Sequence, residues 1–168
     1  YCIDRNSYTR DGSSGSYTWT PNDTTVTTDT QYFGSTQRVG WGKEQSLSDT
    51  VTPSLKCTTS SDKLNLKIGL ITLDEASLAG GSYGNGTLSG VANNDYYLYT
   101  GQTYWTLSPY NFSSFAIVGF VHSSGFMSSN NDSVSNAFGL RPVVTLNSET
   151  LVSSGTGTGT DPYVIEMN

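Results

Sequence analysis

Apolar and polar positions alternate most densely in residues 104–146, YWTLSPYNFSSFAIVGFVHSSGFMSSNNDSVSNAFGLRPVVTL. The pattern predicts a strand over 104–107, a connection starting at Ser108-Pro109, and the strongest strand over 115–122. Ser123-Ser124-Gly125 then reads as a hairpin turn into Phe126-Met127-Ser128, followed by a polar loop over 128–136 and a strand over 140–146. Upstream, Leu64, Leu66 and Ile68 alternate with Asn65 and Lys67 before Gly69-Leu70-Ile71, which predicts a strand entering the core. Thr72-Leu73-Asp74-Glu75 has the spacing of a capping box, so a helix is expected from there to Ala79, with Gly80-Gly81 ending it. Asp74 and Glu75 also suit the positive end of its dipole.

The first 60 residues are less regular. Residues 1–8 suit a short strand or a helix end, and 9–16 read as a polar loop. Residues 17–20 (YTWT) alternate and stop at the turn signal Pro21-Asn22-Asp23. Residues 24–30 (TTVTTDT) and 37–41 (QRVGW) read as further strands, and 51–57 as an extended approach to Cys57. Residues 82–95 read as a Gly/Asn-rich loop and 96–101 (YYLYTG) as an aromatic strand ending in a turn. The tail SSGTGTGTDP reads as a flexible loop before a closing strand over 163–165. Short strands with one clear helix make an α+β domain, and 168 residues fit a single one.

Composition narrows the function. Only 13% of residues are charged and the net charge is -6, so phosphate backbones and anionic lipid are repelled rather than recruited. No nucleic-acid partner and no membrane insertion are expected, since no apolar run nears the roughly 18 residues a span needs. The first residue is Tyr rather than Met, which suggests a processed form or an excised piece. Cys2 and Cys57, an even count in a polar Thr-rich chain, suit one disulfide and an oxidising, extracellular compartment.

Catalytic motifs are weak. Gly80-Gly81-Ser82-Tyr83-Gly84 matches G-x-S-x-G, yet a helix precedes it where a strand is required, so it reads as a helix stop and turn. His122, the only imidazole, has no nucleophile or acid that the sequence places beside it, and it reads as a polar residue of a strand face or binding surface. Asn93-Asn94-Asp95 and Asn130-Asn131-Asp132 offer the oxygen ligands calcium takes but not the spacing of a dedicated loop; Asx-rich turns explain them, and no cofactor is expected. Arg141, flanked by Leu140 and Pro142, needs a partner if buried, and Asp74 or Glu75 at the helix start is the natural one. Strand alternation turns every second side chain outward. Tyr110, Asn111, Phe112, Phe115, Phe120, His122, Phe126, Asn130, Asn131 and Asp132 are therefore the candidate ligand-binding residues, a mix of rigid aromatic area and versatile hydrogen bonding. Cys2, Cys57, Asp74, Glu75, Trp105 and Arg141 are the candidate framework.

YWTLSP, an alternating strand, a small Gly turn, an Asx/Ser-rich loop and FGLRPV together resemble the C-terminal half of the C-type-lectin-like fold shared with formylglycine-generating enzymes. The resemblance is closest to bacterial surface "major paralogous" domains and to the variable proteins of diversity-generating retroelements. It rests on Tyr104, Trp105, Thr106, Ser108, Gly125, Gly139, Arg141, Pro142 and Val143, and it spans about residues 66–168. GLITLDEASLAGG with YYLYTG also resembles pilin-like surface proteins of gut Firmicutes. Formylglycine-generating activity is not implied, because it uses a cysteine pair in the C-terminal half and no cysteine follows Cys57. The sugar motifs Glu-Pro-Asn and Trp-Asn-Asp of animal lectins are also missing.

The expectation is a non-enzymatic, extracellular recognition domain of a bacterial surface or pilus protein. It would bind a protein or glycan through the surface of residues 110–136. The alternative is a structural subunit that self-assembles into a surface filament, with residues 1–60 supplying the contacts.

Overall fold

The computed structural model describes residues 2, 6–11, 18–21, 31–34, 53–57, 63–82, 96–113, 115–128, 134–158 and 160–166. The strands expected at 24–30 and 37–41, and both Asn-Asn-Asp runs, lie outside them. In chain order the elements are β1 (Ser7–Asp11), β2 (Thr18–Pro21), β3 (Gln31–Phe33), β4 (Ile68–Leu70), helix α1 (Leu73–Leu78), β5 (Tyr104–Ser113), β6 (Phe115–Val121), β7 (Met127–Ser128), β8 (Pro142–Val144), β9 (Val152–Ser154) and β10 (Val164–Ile165). Six strands form one sheet in the order β2-β1-β3-β5-β6-β7, and β4-β8 and β9-β10 form two ribbons. Every pairing between these strands is antiparallel, so the described chain is β-rich with one short helix.

The helix forms where the sequence places it. Thr72 Oγ1 accepts from Glu75 N at 3.1 Å while Glu75 Oε2 accepts from Thr72 N at 2.8 Å, which satisfies two amides that a helix start leaves unpaired. Gly80, at φ 105°, lets the chain turn away after the cap at Ala79. Leu73 and Ala76 are fully buried and join Ile71, Tyr96, Leu98, Tyr104, Val121 and Met127 in the core. Leu73 seats on Gly119 of β6, where there is no side chain to keep it away.

Several elements differ from expectation. The polar stretch after Tyr8 is not all loop, because β1 runs to Asp11 and pairs with β2 and β3. Ser108-Pro109 does not end a strand: β5 runs on to Ser113, and the register slips on both sides of Pro109. Such irregularities are where a strand tolerates a residue without an amide hydrogen. There Leu107 N turns to Ile71 O at 2.8 Å and ties β5 to the segment before the helix. Residues 96–98 form a turn closed by Tyr99 N on Tyr96 O at 3.0 Å, not an aromatic strand. The strand expected from Leu64 begins only at Ile68, and Leu66 and Ile68 face solvent rather than the core. The strand expected over 140–146 is confined to β8. In the tail, Asp161 organises a built turn: its carbonyl accepts from Thr156, Gly157 and Thr158 N, and its Oδ2 from Thr156 N and Oγ1.

Candidate recognition surfaces

The β5–β6 hairpin carries half of the predicted ligand-binding residues, and the structure divides them. Phe120 and Phe126 are 2% and 4% exposed, so they are interior residues and not part of a displayed surface. For Phe120 the reason is that β6 is covered on both faces. Leu73 lies on the Gly119 side, while Trp105 and Phe138 pack on Phe120 with ring centroids at 6.0 and 5.1 Å. Alternation along β6 therefore separates two interiors instead of an inside from an outside. Asn111 is also buried, and its Oδ1 has no hydrogen-bond partner. Tyr110 is half-buried, edge-on to Tyr32 with centroids 5.7 Å apart. Phe112 is half-buried and Phe115 is 42% exposed, so the aromatic display shrinks to the hairpin tip. His122 sits half-buried in the following turn, where Nδ1 accepts from Ser124 N at 3.1 Å and the ring stacks on Phe126 at 4.6 Å. Asn130, Asn131 and Asp132 lie outside the described residues.

The framework residues are joined differently from expectation at one point. Arg141 does not pair with Asp74 or Glu75. It donates from Nη1 to Leu98 O at 2.6 Å and lies 5.5 Å from the centre of the Tyr104 ring. Tyr104 donates its hydroxyl to the same carbonyl at 3.0 Å, so one oxygen uses both lone pairs. The helix carboxylates are engaged elsewhere, Glu75 in the capping box and Asp74 Oδ1 accepting from Ser54 N at 2.9 Å. Burial pushes the Tyr104 hydroxyl up against the opposing pull of Arg141. Burial, with Tyr104 alongside, pushes Tyr96 up to about 12; Tyr96 donates to Gly125 O at 2.6 Å. Trp105 N donates to Gly139 O and Gly139 N to Thr103 O, both at 3.0 Å, which clasps the Gly139–Val143 segment to the start of β5.

A second surface was not read from the sequence. A groove of about 660 Å³ opens where the Cys2–Cys57 disulfide, the helix start and β8 meet. The disulfide is formed, with Cα atoms 5.0 Å apart, and Cys2 also bridges Lys63. Ser54 and Leu55 continue the lining from the disulfide, Thr72, Asp74 and Glu75 line it at the helix start, and Leu64 and Val143 supply apolar area. Asp74 is buried at 1% exposure, and its bond from Ser54 N holds the disulfide segment against the helix. The capping box and the approach to Cys57 were the available signals. Sequence could not show that they converge across 20 residues.

Among the described residues no group of three or more His, Cys, Asp or Glu could hold a metal ion, and no helix is long and apolar enough to cross a membrane. Fold and surfaces together define a β-rich, disulfide-closed domain with an open groove. The chain matches no family model, no curated protein and no solved structure.

Proposed function

We propose that this chain is an extracellular recognition domain of a bacterial surface or pilus protein, binding a protein segment or a glycan without catalysis. The observation that carries this reading is the groove at the disulfide. Its 660 Å³ lies in the range of ligand sites, and one wall is covalently fixed, which lowers the ordering cost of binding. Leu55, Leu64 and Val143 offer apolar contact, while Lys63, Asn65 and Glu75 offer the few polar groups that orient a ligand. A disulfide persists in oxidising surroundings, which supports placement outside the cytosol. The C-type-lectin-like assignment is part of the proposal. It is supported by the parallel bridge between Tyr104 and Gly139, which sets Tyr104-Trp105-Thr106 beside the Gly139–Val143 segment.

The test is to probe arrayed glycans and immobilised matrix proteins with the labelled chain and two variants. Leu64→Arg obstructs the groove, and Phe112→Ala with Phe115→Ala removes the half-buried and the exposed aromatic of the hairpin tip. Binding lost in the groove variant and kept in the tip variant supports the reading. Binding lost only in the tip variant moves the site to the hairpin. Binding by the wild type that neither variant changes defeats both locations.

A further inference from the structure

The β4–β8 ribbon has an unusual distribution of side chains. Ile68 pairs with Val144 and Leu70 with Pro142, and Thr145 N continues the ladder onto Lys67 O at 3.3 Å, which brings Leu66 opposite Leu146. Cross-strand partners share a face, and so do residues two apart. Leu66, Ile68, Leu70, Pro142, Val144 and Leu146 therefore line one face of the ribbon. The other face carries Val143, which packs on the core, and Thr145, which with Val143 lines the groove. The apolar face is the one turned outward: Leu66, Ile68, Val144 and Leu146 are 45%, 61%, 56% and 50% exposed. A two-stranded ribbon is marginal in water alone, and this one shows water its apolar side.

We infer that this face binds a second copy of the same chain. Two features of the face select that occupant. First, it carries no charged side chain, so two copies meet there without opposing like charges at the centre, although each has a net charge of -6. Second, its extent fits. Leu66, Ile68, Val144 and Leu146 at these exposures present on the order of 400 Å² of apolar surface, within the range of a monomer's largest patch. Interfaces are roughly 57% apolar, so a contact centred on this face covers roughly 700 Å² per copy, close to the ~800 Å² of a standard one. Two antiparallel ribbons meeting face to face through a two-fold axis place Ile68 and Val144 of both copies at the centre. Such a contact closes on itself and gives a pair, not a filament.

Sedimentation equilibrium of the full chain between about 1 and 200 μM tests this, in the range where contacts of this size associate. The wild type should show a reversible monomer–dimer equilibrium. Ile68→Lys and Val144→Lys each place two like charges near the axis and should weaken it by at least about tenfold. Both side chains are already half in water, so circular dichroism should match the wild type, and a variant that keeps it is sufficient to decide. A wild type that stays monomeric throughout, whether or not the face later proves to bind another protein, overturns the inference. So does a dimer that neither substitution weakens.

Discussion

Replacing Gly119 by Ala puts one methyl group into the contact between helix and sheet. A Cβ built there falls well inside contact distance of Leu73 Cδ1 and lies 3.0 Å from Cγ and 3.2 Å from Cδ2. Carbon atoms pack best at about 3.5–4.0 Å, so Leu73 must retreat by about 1 Å or more. It has little room to do so. Leu73 is fully buried, its amide donates to Ser108 Oγ at 3.0 Å, and the capping box fixes the residue before it. Overpacking of this kind costs about 1–3 kcal/mol. The φ of Gly119 is not left-handed, so Ala is permitted there and returns about 0.4–1 kcal/mol by restricting the unfolded chain, leaving a net loss of roughly 0–2.6 kcal/mol. Leu73→Ala alone removes a buried side chain and should cost about 2–5 kcal/mol. In the double variant the new methyl occupies part of the space Leu73 vacates, so the two losses should fall short of their sum by about 1 kcal/mol. Urea unfolding of the four proteins, followed by tryptophan fluorescence and circular dichroism, measures that coupling. Losses that add within about 0.3–0.5 kcal/mol would refute the contact as described.

Two further outcomes follow from the covalent link and from the buried phenols. Cys2 and Cys57 are separated by 55 residues, for which the chain-entropy model gives about 4 kcal/mol. The Cys2→Ser, Cys57→Ser double variant should therefore melt roughly 10 °C lower by calorimetry, and an unchanged midpoint would remove the disulfide from the stabilising terms. The Tyr96 hydroxyl ionises at about 12 in the folded protein and near its ordinary 10.0 when unfolded. The unfolded chain thus releases a proton that the folded one keeps, so stability present below pH 10 is lost as pH rises towards 12. Urea midpoints across about pH 9–11 should fall less steeply in Tyr96→Phe, and identical slopes would contradict the assignment.

What could be read from the sequence was local. Thr72 and Glu75 announce the helix because both halves of the capping box lie within four residues, and Ser123-Ser124-Gly125 announces the hairpin for the same reason. The outward placing of Phe120 and Phe126 failed because periodicity separates two faces without saying what covers them. At β6 a helix residue covers one and an aromatic layer the other. Ser108-Pro109 reads as a break in the sequence, since the irregularity that accommodates Pro109 needs a partner strand and a hydrogen bond from Leu107 N to Ile71 O that only the folded chain provides. Arg141 was assigned a carboxylate because charges are visible in a sequence. Its actual acceptor, the Leu98 carbonyl, is carried by every residue and marked by none. Leu66 and Ile68 were placed inside for a related reason: a face meant for the core and a face left open carry the same pattern.

The β4–β8 ribbon links the two proposals, because its faces belong to different surfaces. Val143 and Thr145 look into the groove, and Ile68 and Val144 look away from it. Two paired strands are too few to be rigid by themselves, so whatever covers the outer face also limits the motion of the inner one. A second copy docked on the outer face would order a groove wall before a ligand arrives and lower the cost of binding there. The relation runs both ways. If pairing tightens ligand binding by some factor, the ligand tightens pairing by the same factor, because both paths lead to one doubly occupied state.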